Sequence, residues 1–127
     1  MINLRDDHVE IIRRGDIFWH IFEGYLMPVI VIQNDIGNEY SDCTIIAKMS
    51  ASETIRQKHI KIPTIVKIFA EDIEIGKKKG CNLHDIGFVL ASEIYTIPKK
   101  DLKQYVGHLN DDSFGNINEA LKLSLGL

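Results

Sequence analysis

The first half of the chain is cut into short apolar, β-branched segments, each bounded by turn formers, and this spacing most limits how it can fold. DIFWHIF at Asp16–Phe22 lies between Gly15 and Gly24; PVIVI follows at 28–32, TIIAKM at 44–49 and IVKI at 65–68. Runs this short, rich in Val, Ile and aromatics, predict strands rather than helices. The unbroken apolar run 28–32 predicts a strand buried on both faces. Residues 34–38 are dense in turn formers, and 50–63 are polar and basic, so both are predicted as loops. Two further strands are expected at 87–90 and 93–97. After Pro98, residues 99–106 suit a short helix. Asp111 or Asp112 would cap a final helix that repeats Ile117, Leu121 and Leu125 at helical spacing. Strands first and helices last predict a mainly β, α+β chain: a small barrel packed by a C-terminal helix.

Composition narrows the function. A length of 127 residues predicts one domain, with 45% hydrophobic and 26% charged residues, as in globular proteins. The formal net charge of −3 excludes a uniformly basic nucleic-acid binder, but the charge is unevenly placed. Residues 1–42 hold three basic and eight acidic groups; 43–67 hold five basic (Lys48, Arg56, Lys58, Lys61, Lys67) and one acidic. That central excess can meet a phosphate backbone, or can simply be a solvated face. No apolar run approaches the ~18 residues of a membrane span. Residues 1–14 are too charged for a signal peptide, and Cys43 and Cys81 make no disulfide framework, so a reducing, cytoplasmic setting is expected. Cys81 and His84, even with Cys43, fall one ligand short of a tetrahedral site, so no metal is expected.

The ordered series RGDIF (14–18), PVIVIQNDIGN (28–38), Ser41, TIIA (44–47), KIPT (61–64), EIYTI (93–97), HLND (108–111) and EALKLSL (119–125) spans nearly the whole chain. It resembles the MazF/PemK family of toxin ribonucleases, most nearly the chromosomal toxins of Gram-positive bacteria. The resemblance implies one domain over 13–127 after an N-terminal extension, 1–12. It implies an SH3-like (MazF/PemK/CcdB-like) barrel of about six to seven strands with a C-terminal helix, assembled as a homodimer. It further implies single-stranded RNA as substrate, cut without metal or cofactor, and an antitoxin whose C-terminal segment occupies the RNA groove. Arg14, Lys48, Ser50, Arg56, Lys58, Lys61 and Glu93 are the RNA-binding candidates.

Two departures bear on activity. In the family an arginine precedes the proline of the second strand; here Met27 precedes Pro28, while the small hydroxyl at the end of the third strand is kept as Ser50. The family's long loop between the first two strands is reduced to Glu23-Gly24-Tyr25-Leu26, a tight hairpin. Metal-free cleavage needs a base for the 2′-hydroxyl, an acid for the 5′-oxygen and a cation at the phosphorane; methionine supplies none of these. Lys48 shares a strand face with Ser50 and is a candidate cation, or a solvated lysine. His20, near Glu23, is a candidate acid–base group, or a structural histidine. Phe18 and Trp19 fall on opposite faces, so at least one belongs to the core. Glu93, where the family commonly has glutamine, adds negative charge beside the groove. A family member that binds RNA or an antitoxin-like peptide without cutting is the alternative reading. A gyrase-type poison of the same fold is disfavoured, because such poisons use a C-terminal tryptophan and the only tryptophan here is Trp19.

Overall fold

The computed structural model describes residues 11–75, 78–79 and 87–127. Eight strands form one antiparallel sheet: β1 (Asp16–Phe22), β2 (Tyr25–Val31), β3 (Cys43–Ser50), β4 (Ile65–Lys67), β5 (Ile73–Ile75), β6 (Lys78–Lys79), β7 (Phe88–Pro98) and β8 (Tyr105–Leu109). Their order is β4-β7-β3-β2-β1-β8-β5-β6, and the sheet curls into a half-barrel. Among the described residues, α1 (Asp35–Tyr40) joins β2 to β3, α2 (Glu53–His59) joins β3 to β4, and α3 (Asp111–Leu125) follows β8.

Alternation along β1, β2 and β3 sends apolar side chains to both faces, as the unbroken run 28–32 predicts. On one face Ile17, Ile30, Ala47 and Met49 pack with Val89, Leu109 and the α3 residues Phe114, Ile117 and Leu121. On the other, Phe18, Val29, Val31 and Ile46 pack with Ile12, Ile97 and Leu102. A central sheet buried on both sides fixes strand register, because a one-residue slip would exchange the two sets.

Several expectations are corrected. Residues 34–38 are not a loop: Asn34 Oδ1 accepts from Gly37 N at 2.7 Å and caps α1. Within 50–63, Ser52 Oγ accepts from Ile55 N at 3.2 Å and caps α2, whose acidic Glu53 starts it and whose basic Lys58 and His59 end it, in the sense the helix dipole favours. The two strands expected at 87–90 and 93–97 are one long strand, β7, whose register to β3 jumps from Ala47↔Ile94 to Lys48↔Leu90. Residues 99–106 do not form a helix: a single 3₁₀ turn at Lys99–Asp101 leads into β8, and the backbone between them bonds Trp19 (Lys103 N to Trp19 O at 2.8 Å, Trp19 N to Gln104 O at 2.9 Å). Pairing with the edge of β1 overrides local helix preference there. The cap of α3 is Asn110 rather than Asp111 or Asp112. Lys77 and Gly80 of the basic turn, and Cys81 and His84, lie outside the described residues.

Candidate functional site

β1 and β2 are joined by Glu23 and Gly24 alone, at φ +49° and +85°, the positive pair of a type I′ turn. The two-residue turn sets the register: Phe22 opposite Tyr25, His20 opposite Met27, Phe18 opposite Val29. All of these side chains therefore share the face on which β3 presents Ile46, Lys48 and Ser50. Its inner part, around Phe18, Val29 and Ile46, is core; its outer part is open.

Lys48 is the cation of that outer part. Its side chain is one-fifth exposed, with Nζ 4.7 Å from the Phe22 ring centroid, 5.5 Å from that of Tyr95 and 3.8 Å from Glu93 Oε1. Tyr95 pairs with Ile46 in the regular part of the β3–β7 ladder, diagonal to Lys48, and Glu93 follows at the irregularity, where Lys48 pairs with Leu90. Ser50 ends β3 on the same face, its Oγ accepting from Ser52 N at 3.2 Å. Gly87, at φ +60°, passes so close to the Ser50 carbonyl that a β-carbon would collide with it, so glycine is required where the chain enters β7.

The other predicted residues are placed as follows. His20 is buried, 8% exposed, with Nδ1 3.3 Å from the Asp101 carbonyl and its ring edge-on to Phe22 at 4.7 Å. It forms a wall of the site, and the hydrogen bond of its Nδ1 goes to the Asp101 carbonyl. Met27 is half-buried beside it. Arg14 lies on the opposite side of the sheet: its guanidinium bonds Asn118 and stacks 4.7 Å from the Phe114 ring of α3. Arg56 sits on α2, 3.5 Å from Glu53 and 5.6 Å from the Phe88 ring, while Lys58 and Lys61 are exposed. Phe18 is wholly core and Trp19 half-buried. Among the described residues, no cluster of His, Cys, Asp or Glu is arranged to hold a metal ion.

The far end of β1 is a rigid anchor. The Asp16 carboxylate, 1% exposed, accepts from Arg13 N and from His108 Nδ1, both at 2.8 Å. Beside it, burial and the Asp16 charge push the Tyr105 phenol up to about 12. This explains why RGD stands where it does: Gly15 at φ +98° makes the turn and Asp16 ties it to β8.

A protein-family model described as "PemK-like, MazF-like toxin of type II toxin-antitoxin system" matches residues 13–125. The chain belongs to that family. It is 34% identical over 124 residues to Endoribonuclease EndoA of Bacillus subtilis (strain 168), covering 92% of this chain and 97% of that one. Its fold is similar to that of an endoribonuclease in complex with its cognate antitoxin from a Mycobacterial species (TM-score 0.71, 21% identity, 94% and 97% of the two chains). It is also similar to MazE-MazF from Deinococcus radiodurans (TM-score 0.66, 16% identity, 92% and 97%). No helix among the described residues of this MazF-like toxin is long and apolar enough to cross a membrane.

Phe22 and Tyr95 join the candidate site of this family member although neither is among the residues expected there. The signal for Phe22 was present, since Glu23-Gly24 is a two-residue turn that sets it opposite Tyr25. Nothing local marks Tyr95, which stands opposite Ile46 and reaches Lys48 diagonally through the pairing of β3 with β7.

Proposed function

We propose that the protein acts on single-stranded RNA as a metal-independent endoribonuclease toxin in which Lys48 stands in for the arginine absent at 27. The observation that carries this reading is the placement of the Lys48 ammonium 3.8 Å from the Glu93 carboxylate, on the strand face that also carries Ser50. The name of the Bacillus subtilis relative supports it. In this mechanism Glu93 accepts the 2′-hydroxyl proton as that oxygen attacks phosphorus. Lys48 stabilises the phosphorane and passes a proton to the departing 5′-oxygen. Ser50 donates a hydrogen bond to a non-bridging oxygen. The products are a 2′,3′-cyclic phosphate and a 5′-hydroxyl; Glu93 then returns its proton to Lys48, and no water is consumed.

A homodimer and an antitoxin belong to the same reading. An apolar groove of about 880 Å³, between α3 and strands β2, β3 and β7, is lined by Ile32, Ile45, Ile94, Leu121 and Leu125 and offers a face for a second copy. Sedimentation at twice the 14.5 kDa of one chain is the expected result. Antitoxin complexes among the similar structures support a peptide restraint. A cytoplasmic setting follows from an RNA target.

One observation favours a second reading, RNA or antitoxin binding without cleavage: position 27 is uncharged and Glu93 offsets the Lys48 charge. Expression toxicity with mapping of RNA ends separates the two. Wild type is expected to generate 5′-hydroxyl ends, and Lys48→Ala and Ser50→Ala to lower cleavage by about 100-fold. Cleavage by Met27→Arg alone would instead establish the second reading. Absence of both cutting and RNA binding in every variant would end the RNA reading.

A further inference from the structure

The face that carries Lys48 also carries a row of aromatic side chains that the cleavage chemistry does not use. Tyr25 and Phe22 are cross-strand partners at the hairpin tip. Phe22 and Tyr95 have ring centroids 5.2 Å apart at an interplanar angle of 52°. Tyr25 is 74% and Tyr95 38% exposed, whereas Phe22 is half-buried, held edge-on by the buried His20 ring. The row thus has a fixed centre and two accessible ends. Lys48 lies against the Phe22 and Tyr95 rings.

Exposed aromatic rings beside an ammonium group match the chemistry of a single strand, whose bases each offer a π-face and whose backbone offers a phosphate between them. Base stacking on such rings is tolerant of sequence, and the cation holds the backbone. Charge complementarity continues past the site: β3 leads directly into the segment of Arg56, Lys58 and Lys61, so a strand leaving Lys48 past Ser50 meets further positive groups. The two-residue turn Glu23-Gly24 places Tyr25 at the edge of this face.

We infer that Tyr25, Phe22 and Tyr95 form a stacking platform for successive nucleobases of single-stranded RNA, with Lys48 on the phosphate between them. The inference rests on the RNA reading above and specifies where the bases sit. Tyr25 and Tyr95 bind the strand but do not touch the reacting phosphate, so their loss weakens binding and changes the cleavage step little.

The test uses full-length protein and two labelled strands of about twelve nucleotides, 2′-O-methyl oligouridine, which lacks the attacking hydroxyl, and an abasic strand of equal length and charge. Tyr25→Ala and Tyr95→Ala are each expected to weaken binding to the oligouridine about five- to tenfold while leaving the abasic strand unaffected, and Tyr95→Phe to restore it. Unchanged thermal melting of both alanine variants, whose side chains are exposed, establishes that the loss is local. Unaltered oligouridine binding by both alanine variants would overturn the platform and leave the RNA reading standing, as would an equal loss on the abasic strand. Retained RNA binding with loss of binding to an antitoxin-derived peptide would assign the face to a protein partner and overturn it too. Failure of wild type to bind either strand would remove the RNA reading and the platform together.

Discussion

Lys48 Nζ lies 3.8 Å from Glu93 Oε1, across the paired strands β3 and β7. With side chains one-fifth and two-fifths exposed, the pair is wet enough to contribute little to folding, on the order of 0–1 kcal/mol. Its consequence is chemical: the carboxylate offsets the Lys48 charge that would attract phosphate, yet is the acceptor that the proposed cleavage needs. Glu93→Gln is therefore expected to tighten RNA binding by about two- to fivefold and steepen its salt dependence, while cleavage per bound strand falls by at least about tenfold. Binding isotherms over a salt series, paired with single-turnover cleavage, measure both. Tighter binding with undiminished cleavage would strip Glu93 of its role as base.

Asp16 is a buried carboxylate at the start of β1. It serves two donors, Arg13 N and His108 Nδ1. Asp16→Ala leaves both unpaired at the junction of β1 and β8, and should cost about 2–4 kcal/mol. Urea unfolding gives the value, and a loss under about 1 kcal/mol would mean that water replaces the carboxylate readily.

Much of the fold is legible in the residues because burial on both faces is written into 28–32 and alternation into 16–22. What is not legible has local causes. Asn34 and Ser52 are turn formers that are also helix caps, and composition does not say which role they take. Residues 99–106 have helical character, yet Trp19 needs backbone partners and takes them from Lys103 and Gln104. At the site, Lys48 and Ser50 follow from strand periodicity, whereas Glu93 and Tyr95 become their neighbours through the pairing and register of β7 with β3, which no local pattern announces. His20 reads as reactive from its residue type, and only burial against Asp101 and Phe22 reassigns it.

The hairpin turn stores a small strain. Glu23, a non-glycine residue, is held at positive φ, +49°, in a turn type that favours asparagine before glycine. Glu23→Asn is expected to stabilise the protein by about 0.5–1 kcal/mol, a rise in Tm of about 2–5 °C, without moving Phe22 or Tyr25. Thermal denaturation checks it. A lower Tm would indicate that the Glu23 side chain contributes more than its backbone costs.

Tyr105 gives the fold a limit at high pH. Burial and the neighbouring Asp16 carboxylate both oppose the phenolate, which raises the group from 10.0 to about 12 in the folded chain. The folded state thus holds this proton more tightly than the unfolded state does. Stability from the difference is fully present below pH 10, falls as the unfolded chain ionises there, and is gone above about pH 12. Tyr105→Phe keeps the ring 5.4 Å from Phe18 but has no proton to lose. Urea unfolding below pH 10 and again near pH 12 should show wild type losing more stability across that window than the phenylalanine variant. Parallel decline of the two proteins would place the alkaline transition at other groups.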